Sequence, residues 1–170
     1  MTACPIWNEH RATVIPSAGG PLPVMAECAL MSLDNVIAEM YDSVCFEGGQ
    51  RPDWGRQAAI FAPGARLVRI NDDGVFEFDL ESYSLNFEAM IDSGDMPSFW
   101  EGEIWRETYE LGEMAHVLSA YEIRRTRGGE MLNRGVNSIQ LFRRDDRWWI
   151  SAMIWRREGA NVRVPATLSP

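Results

Sequence analysis

Few side chains in this sequence have both the type and the setting for chemistry. There are two histidines, His10 and His116. An imidazole titrates near neutral pH and can move a proton as a general base. His10 falls in a stretch without periodicity. His116 sits among the apolar Met114, Leu118 and Ala120, which puts it either in an enclosed pocket or on a face that meets another chain. Arg69 is the second candidate. On an alternating strand it shares a side with Ala65 and Leu67. It can pair there with Glu101, Glu103 or Glu122, or it can hold a carboxylate or enolate oxygen of a ligand. Trp100, Trp105, Trp148, Trp149 and Trp155 supply aromatic surface. That surface either packs a core or lines a site for a flat apolar molecule.

Other chemistries lack their residues. Cys4, Cys28 and Cys45 show neither metal-ligand nor redox spacing and read as free thiols in a reducing cytoplasm. There is no glycine-rich phosphate loop, no nucleophile elbow and no pair of metal ligands, so no metal or cofactor is expected. The net charge of −9 points away from a nucleic-acid partner. Every basic residue is arginine, and several cluster at predicted strand ends: Arg124, Arg125 and Arg127, then Arg143, Arg144 and Arg147, then Arg156 and Arg157. They serve either as solvated hairpin ends or as a contact for an anionic partner. No apolar run is long enough to span a membrane, and no signal peptide is apparent. A cytoplasmic protein without membrane contact is expected.

The elements that must position these residues follow from periodicity. At 170 residues one domain is the simplest reading, and it would bury roughly two-thirds of its unfolded surface. Residues 1–30 have no sustained period, and 17–23 are turn chemistry, so an irregular arm is expected, with Met31 a plausible alternative start. Asp34 caps a helix whose apolar face carries Val36, Ile37, Met40, Tyr41 and Val44. Gly48-Gly49 ends it. Asp53 caps a second helix from Trp54 to Phe61, stopped by Ala62-Pro63-Gly64. A strand covers Ala65–Asn71, and Asp79 caps a third helix from Leu80 to about Asp92. Four long antiparallel strands follow, over Phe99–Leu111, Glu113–Arg127, Gly135–Arg144 and Arg147–Arg157. Residues 31–159 form the body, and 160–170 a short tail.

The last two strands turn at Asp145-Asp146. With Arg144 opposite Arg147, an unbroken register pairs Phe142 with Trp149, Gln140 with Ser151, Ser138 with Met153 and Val136 with Trp155. Both sides of this hairpin are then largely apolar. One side needs the helices as cover. The other needs either a second copy of the chain, which gives a homodimer, or the N-terminal arm.

This order of elements resembles the nuclear transport factor 2-like superfamily, the cystatin-like α+β cone that includes SnoaL-like cyclases, ketosteroid isomerases and scytalone dehydratase. The resemblance spans about Leu33 to Glu158. It rests on the element order, on Phe61-Ala-Pro-Gly-Ala-Arg-Leu67 and on Asp145-Asp-Arg-Trp-Trp-Ile150. It implies a curved antiparallel sheet wrapped around three helices (α-α-β-α-β-β-β-β), with a pocket at the open end for a small hydrophobic or mildly anionic molecule. By the same resemblance Ser138, Gln140, Ser151, Met153 and Trp155 line that pocket. Tyr41, seven residues before Gly48, takes the place of the isomerases' catalytic tyrosine. The places of their two catalytic acids fall at Arg69 and near Gln140. Arginine stays protonated and cannot shuttle a proton, so steroid-type isomerisation does not carry over. A scytalone dehydratase-like scheme would use His116 with Glu103, Glu107 and Tyr109. A cofactorless cyclase, isomerase or hydro-lyase is one reading, with Tyr41 and His116 as catalytic groups. A non-catalytic dimeric module whose cone is filled by its own side chains is the other.

Overall fold

The computed structural model describes residues 32–168, so the expected arm lies outside the described residues, apart from its junction. Helix α1 covers Leu33–Asp42. Its cap is Ser32, whose Oγ accepts the Asn35 N–H at 3.1 Å, two residues before the expected Asp34. Leu33, Val36, Ile37, Met40 and Tyr41 recur at helical spacing and are all buried. Helix α2, Trp54–Ala58, is capped by Asp53 as expected but stops three residues short of Phe61. The chain then enters strand β1, Phe61–Asn71, which runs straight through Ala62-Pro63-Gly64. Gly64 takes a positive φ of 79°, and the register against the neighbouring strand shifts between Phe61 and Arg66. The breakers bend a strand here instead of ending a helix.

Strand β2, Gly74–Phe78, folds back on β1 and is a strand that the periodicity did not reveal. None of its five residues is buried, so no apolar alternation marks it. Helix α3, Leu80–Asp92, begins at the expected Asp79, which forms a capping box with Ser82. Strands β3 (Trp100–Leu111), β4 (Met114–Arg124), β5 (Met131–Arg144) and β6 (Arg147–Arg157) complete one sheet of order β2-β1-β6-β5-β4-β3. Neighbours are antiparallel except β1 with β6. A short 3-10 turn, Ala166–Leu168, follows. Gly159 packs against the Asp72 carboxylate, which accepts from the Ala160 N–H and Arg156 and so ties residues beyond β6 to the β1–β2 turn.

Asp145 and Asp146 have φ of 54° and 58°, as a two-residue type I′ hairpin requires. Arg144 pairs with Arg147 and Phe142 with Trp149, as expected. The register then slips. Leu141 pairs with Ile150 but Gln140 with Ala152, which leaves Ser151 as a one-residue bulge. Beyond it Ser138 faces Ile154, and Asn137 faces Trp155. This corrects the pocket assignment. Met153 and Trp155 do face the helices and are buried, but Ser138 and Gln140 stand on the outer face with Gln140 exposed, and Ser151 is the bulge itself. One extra residue inverts the phase of a strand with period two.

The core lies between the helices and the inner face, where Val36, Ile37, Leu67, Val117, Ile139 and Ile150 are fully buried. At the α3 end the filling is aromatic. Phe87 meets Phe46, Trp54 and Phe99 edge-on, and Trp155 meets Tyr83 edge-on at 5.8 Å. The outer face carries Tyr109, Met114 and Ile154 at 58%, 57% and 45% exposure. Among the described residues no helix is long and apolar enough to cross a membrane.

Candidate active site at the open end of the cone

The inner face brings Arg69 from β1, Trp155 and Arg157 from β6, Tyr121 from β4 and Glu101 from β3 around one cavity, closed by Tyr83, Asn86 and Met90 of α3. Its volume is about 30 Å³, room for about two water molecules. Gly135 makes part of this geometry possible. A Cβ there would lie 2.4 Å from the Tyr121 hydroxyl oxygen, so only glycine lets that ring lie across β5.

Charge in the cavity is unevenly satisfied. The Arg69 guanidinium lies over the Phe76 and Phe78 rings, at 4.8 and 5.3 Å from their centroids. Its Nη1 donates to Asn86 Oδ1 at 3.2 Å, while its buried Nε has no partner. The ion pair weighed for it does not form: Glu103 holds Arg106, and Glu122 holds Arg124. Burial and the nearby Arg157 charge lower the Arg69 pKa. Arg157 itself has no ion pair among the described residues. Burial pushes the Glu101 carboxyl up to about 7, against the opposing pull of Arg157 and the Asn137 amide. A carboxyl raised toward neutral pH can both give and take a proton. The Tyr83 and Tyr121 hydroxyls line the site, and burial raises the pKa of both.

Behind the cavity runs a second, fully paired polar chain. Asn137 Nδ2 donates to Tyr41 Oη at 3.0 Å, Tyr41 shares a 2.7 Å bond with Ser119 Oγ, and Ser119 donates to Glu103 Oε1 at 2.5 Å. Because Ser119 gives its proton to Glu103, Tyr41 is the donor to Ser119. Arg106 closes the chain on Glu103 and Asp34. Tyr41 does not line the cavity, and burial raises its pKa far above the usual phenol range. A network in which every member is satisfied fixes the α1–sheet packing.

His116 lies outside the cone, on the outer face. Its Nε2 is 3.1 Å from Ser138 Oγ, and its ring stacks on Tyr109 at 6.4 Å. Glu107 and Tyr109 join it there, bonded to each other at 2.6 Å, while Glu103 points inward. The scytalone dehydratase-like set is therefore not assembled. Among the described residues no group of side chains could hold a metal ion.

Sequence reasoning named Glu101 only as an ion-pair partner for Arg69, and it missed Arg157, Tyr83 and Tyr121 as site residues. The register puts Glu101 opposite Ile123, and Glu103 opposite Tyr121, on the buried side. Arg157 looked like one more charged strand end. The usable signal was two glutamates at i and i+2, between Trp100 and Trp105 on one strand.

No family model matches the chain, and no curated protein does. Solved structures do. A protein of unknown function with a cystatin-like fold from Nostoc punctiforme superposes with a TM-score of 0.57 at 13% identity, over 82% of this chain and 96% of its own. The chain has the nuclear transport factor 2-like fold. A nuclear transport factor 2-like protein of unknown function from Silicibacter pomeroyi matches with a TM-score of 0.54 and 12% identity, over 81% of this chain and all of its own. A candidate dehydratase of the nuclear transport factor 2-like family from Streptomyces avermitilis gives 0.55 and 12%, over 79% and 99%. At such identities the nuclear transport factor 2-like likeness concerns the fold, and the chemistry has to come from the side chains of this chain.

Proposed function

We propose that the cone binds a small, mildly anionic and partly apolar molecule and moves a proton on it, without a cofactor. The observation that carries this reading is the pair of arginines, Arg69 and Arg157, in one cavity wall, neither of them in an ion pair among the described residues. A cavity for about two waters matches the two oxygens of one carboxylate. The apolar part of the ligand would extend past Met90 and Met96, whose flexible thioethers can move aside. Glu101 stands beside that anionic group as acid or base, the role an isomerase or hydro-lyase needs. The name of the Streptomyces protein points to the same reaction class. On this reading the setting is the reducing cytoplasm, where Cys45 stays a free thiol.

The small cavity favours a second reading, in which the cone is packed by its own side chains and serves only as an interaction module. Native mass spectrometry of protein from its own host, followed by titration with benzoate and benzyl alcohol, separates the two. Ligand chemistry predicts that benzoate binds, that benzyl alcohol does not, and that Arg69→Leu weakens benzoate about ten- to a hundredfold, the worth of one charge-assisted hydrogen bond. No retained molecule and no benzoate binding would favour the packed module.

A homodimer through the outer sheet face belongs to either reading. Exposed Tyr109, Met114 and Ile154 on the outer face support it. A two-fold interface sets the same patch against itself, so Ile154→Arg places like charges on both sides. Sedimentation is expected to show a dimer for the native chain and a monomer for this variant. A native chain sedimenting as a monomer would remove the dimer from both readings.

A further inference from the structure

We propose that the groove between the end of α1 and the β4–β5 connection is a second ligand site, which takes a short peptide with free termini. The groove has a volume of about 270 Å³, against about 30 Å³ in the cone, and is separated from it by Phe99, which lines both. A dipeptide fits a space of that size. The helix side carries Asp42 and Glu47, and the β4–β5 side carries Arg125 and Arg127. None of these four forms an ion pair among the described residues, and Arg125 reaches only the backbone oxygen of Asp95, at 3.5 Å. Two carboxylates and two guanidiniums therefore line one groove without meeting across it. Their separation leaves space for a molecule that brings an ammonium to one wall and a carboxylate to the other.

The floor between the walls is apolar. Phe46 and Phe99 are buried beneath the groove, and the half-buried Trp100 offers its indole to a large side chain. The floor is also rigid. Phe46 and Phe99 exchange both backbone hydrogen bonds at 2.9 Å. The Cys45 Sγ accepts the Glu101 N–H at 3.3 Å and lies 3.2 Å from the Tyr41 carbonyl oxygen. A preformed floor with unsatisfied, opposite-signed rims costs little to organise when a ligand arrives. An anion alone would be repelled by Asp42 and Glu47, and a cation alone by the arginines. The zwitterion whose charges lie at its two ends is the class that satisfies both.

Isothermal titration with a leucyl-phenylalanine dipeptide tests this, alongside its N-acetyl and C-amide forms. The free dipeptide is expected to bind, and each capped form to bind about tenfold more weakly, the effect of losing one partly exposed charge contact. A double variant, Arg125→Glu with Arg127→Glu, is expected to weaken the free dipeptide and to erase the penalty for amidation. Arg69→Leu in the cone should leave this binding unchanged, so the groove and the cone can fail separately. Equal affinity of free and capped forms, or no heat up to about 10 mM dipeptide, overturns the site.

Discussion

Glu101→Gln is expected to make the protein more stable at pH 8 and to leave it nearly unchanged at pH 5. The folded carboxyl titrates at about 7 against 4.5 in a model peptide, chiefly because burial disfavours its charge. Between those two values the folded state binds more protons than the unfolded one, so stability falls as pH rises through that window. Once Glu101 is ionised in both states the loss is complete, on the order of 3 kcal/mol. An uncharged amide of the same shape avoids it. Thermal melts of both proteins from pH 4.5 to 8.5 should show a native curve that declines above pH 5 and a variant curve that stays flat. Parallel curves would assign the decline to another group. Asp72 and Asp79 act in the opposite sense and at lower pH, since hydrogen bonds depress both. A carboxyl group kept where it costs stability is what a proton-transfer site requires.

Trp155→Ala should be the most destabilising of the single substitutions considered. The indole is 7% exposed, stacks on Phe78 at 6.5 Å and meets Tyr83 edge-on. Removing it deletes buried apolar surface and leaves a void between β6 and α3, at a cost of about 3–5 kcal/mol. A urea midpoint lowered by that amount with an unchanged slope is the expected readout. The void adjoins Arg69, so added indole should bind the variant and restore part of the loss. A variant that loses little stability would mean that the sheet collapses onto α3 and closes the space.

The fold was largely legible and the site only in part, for one physical reason. Helix caps and hairpin turns announce themselves locally: Asp53, Asp79 and Asp145-Asp146 all act where the sequence places them. Arg69 faces inward as its alternation with neighbours suggests, and Met153 and Trp155, assigned to the inner face by the resemblance, face the helices. Which face a strand buries, however, depends on every residue between it and the turn that sets its register. An extra residue at Ser151, with no glycine or proline beside it, and another irregularity between Glu103 and Trp105 both fall inside long strands. Ser138 and Gln140 were therefore placed inside and are outside. Glu101 was weighed as an ion-pair partner for Arg69, and it lies inside without pairing to it. His116 kept both its alternatives until the register put it beside Tyr109. Strand β2 was missed because an exposed strand carries no buried face to betray it.

The bulge at Ser151 also sets how strand β6 tolerates changes in length. Upstream of it Trp148 and Ile150 point to the helices, and downstream Met153 and Trp155 do so as well, although the two halves are out of step by one. Deleting Ser151 itself would leave a regular strand in which Met153 and Trp155 still point inward, because the bulge is what absorbs the extra residue. Deleting Met153 instead would deliver Arg157 and the Trp155 indole to solvent, and Ile154 and Arg156 to the interior. A chain without the bulge residue keeps the same inward set from position 152 onward, whereas an alignment that runs through Ser151 without a gap would match inward residues of one protein to outward residues of the other.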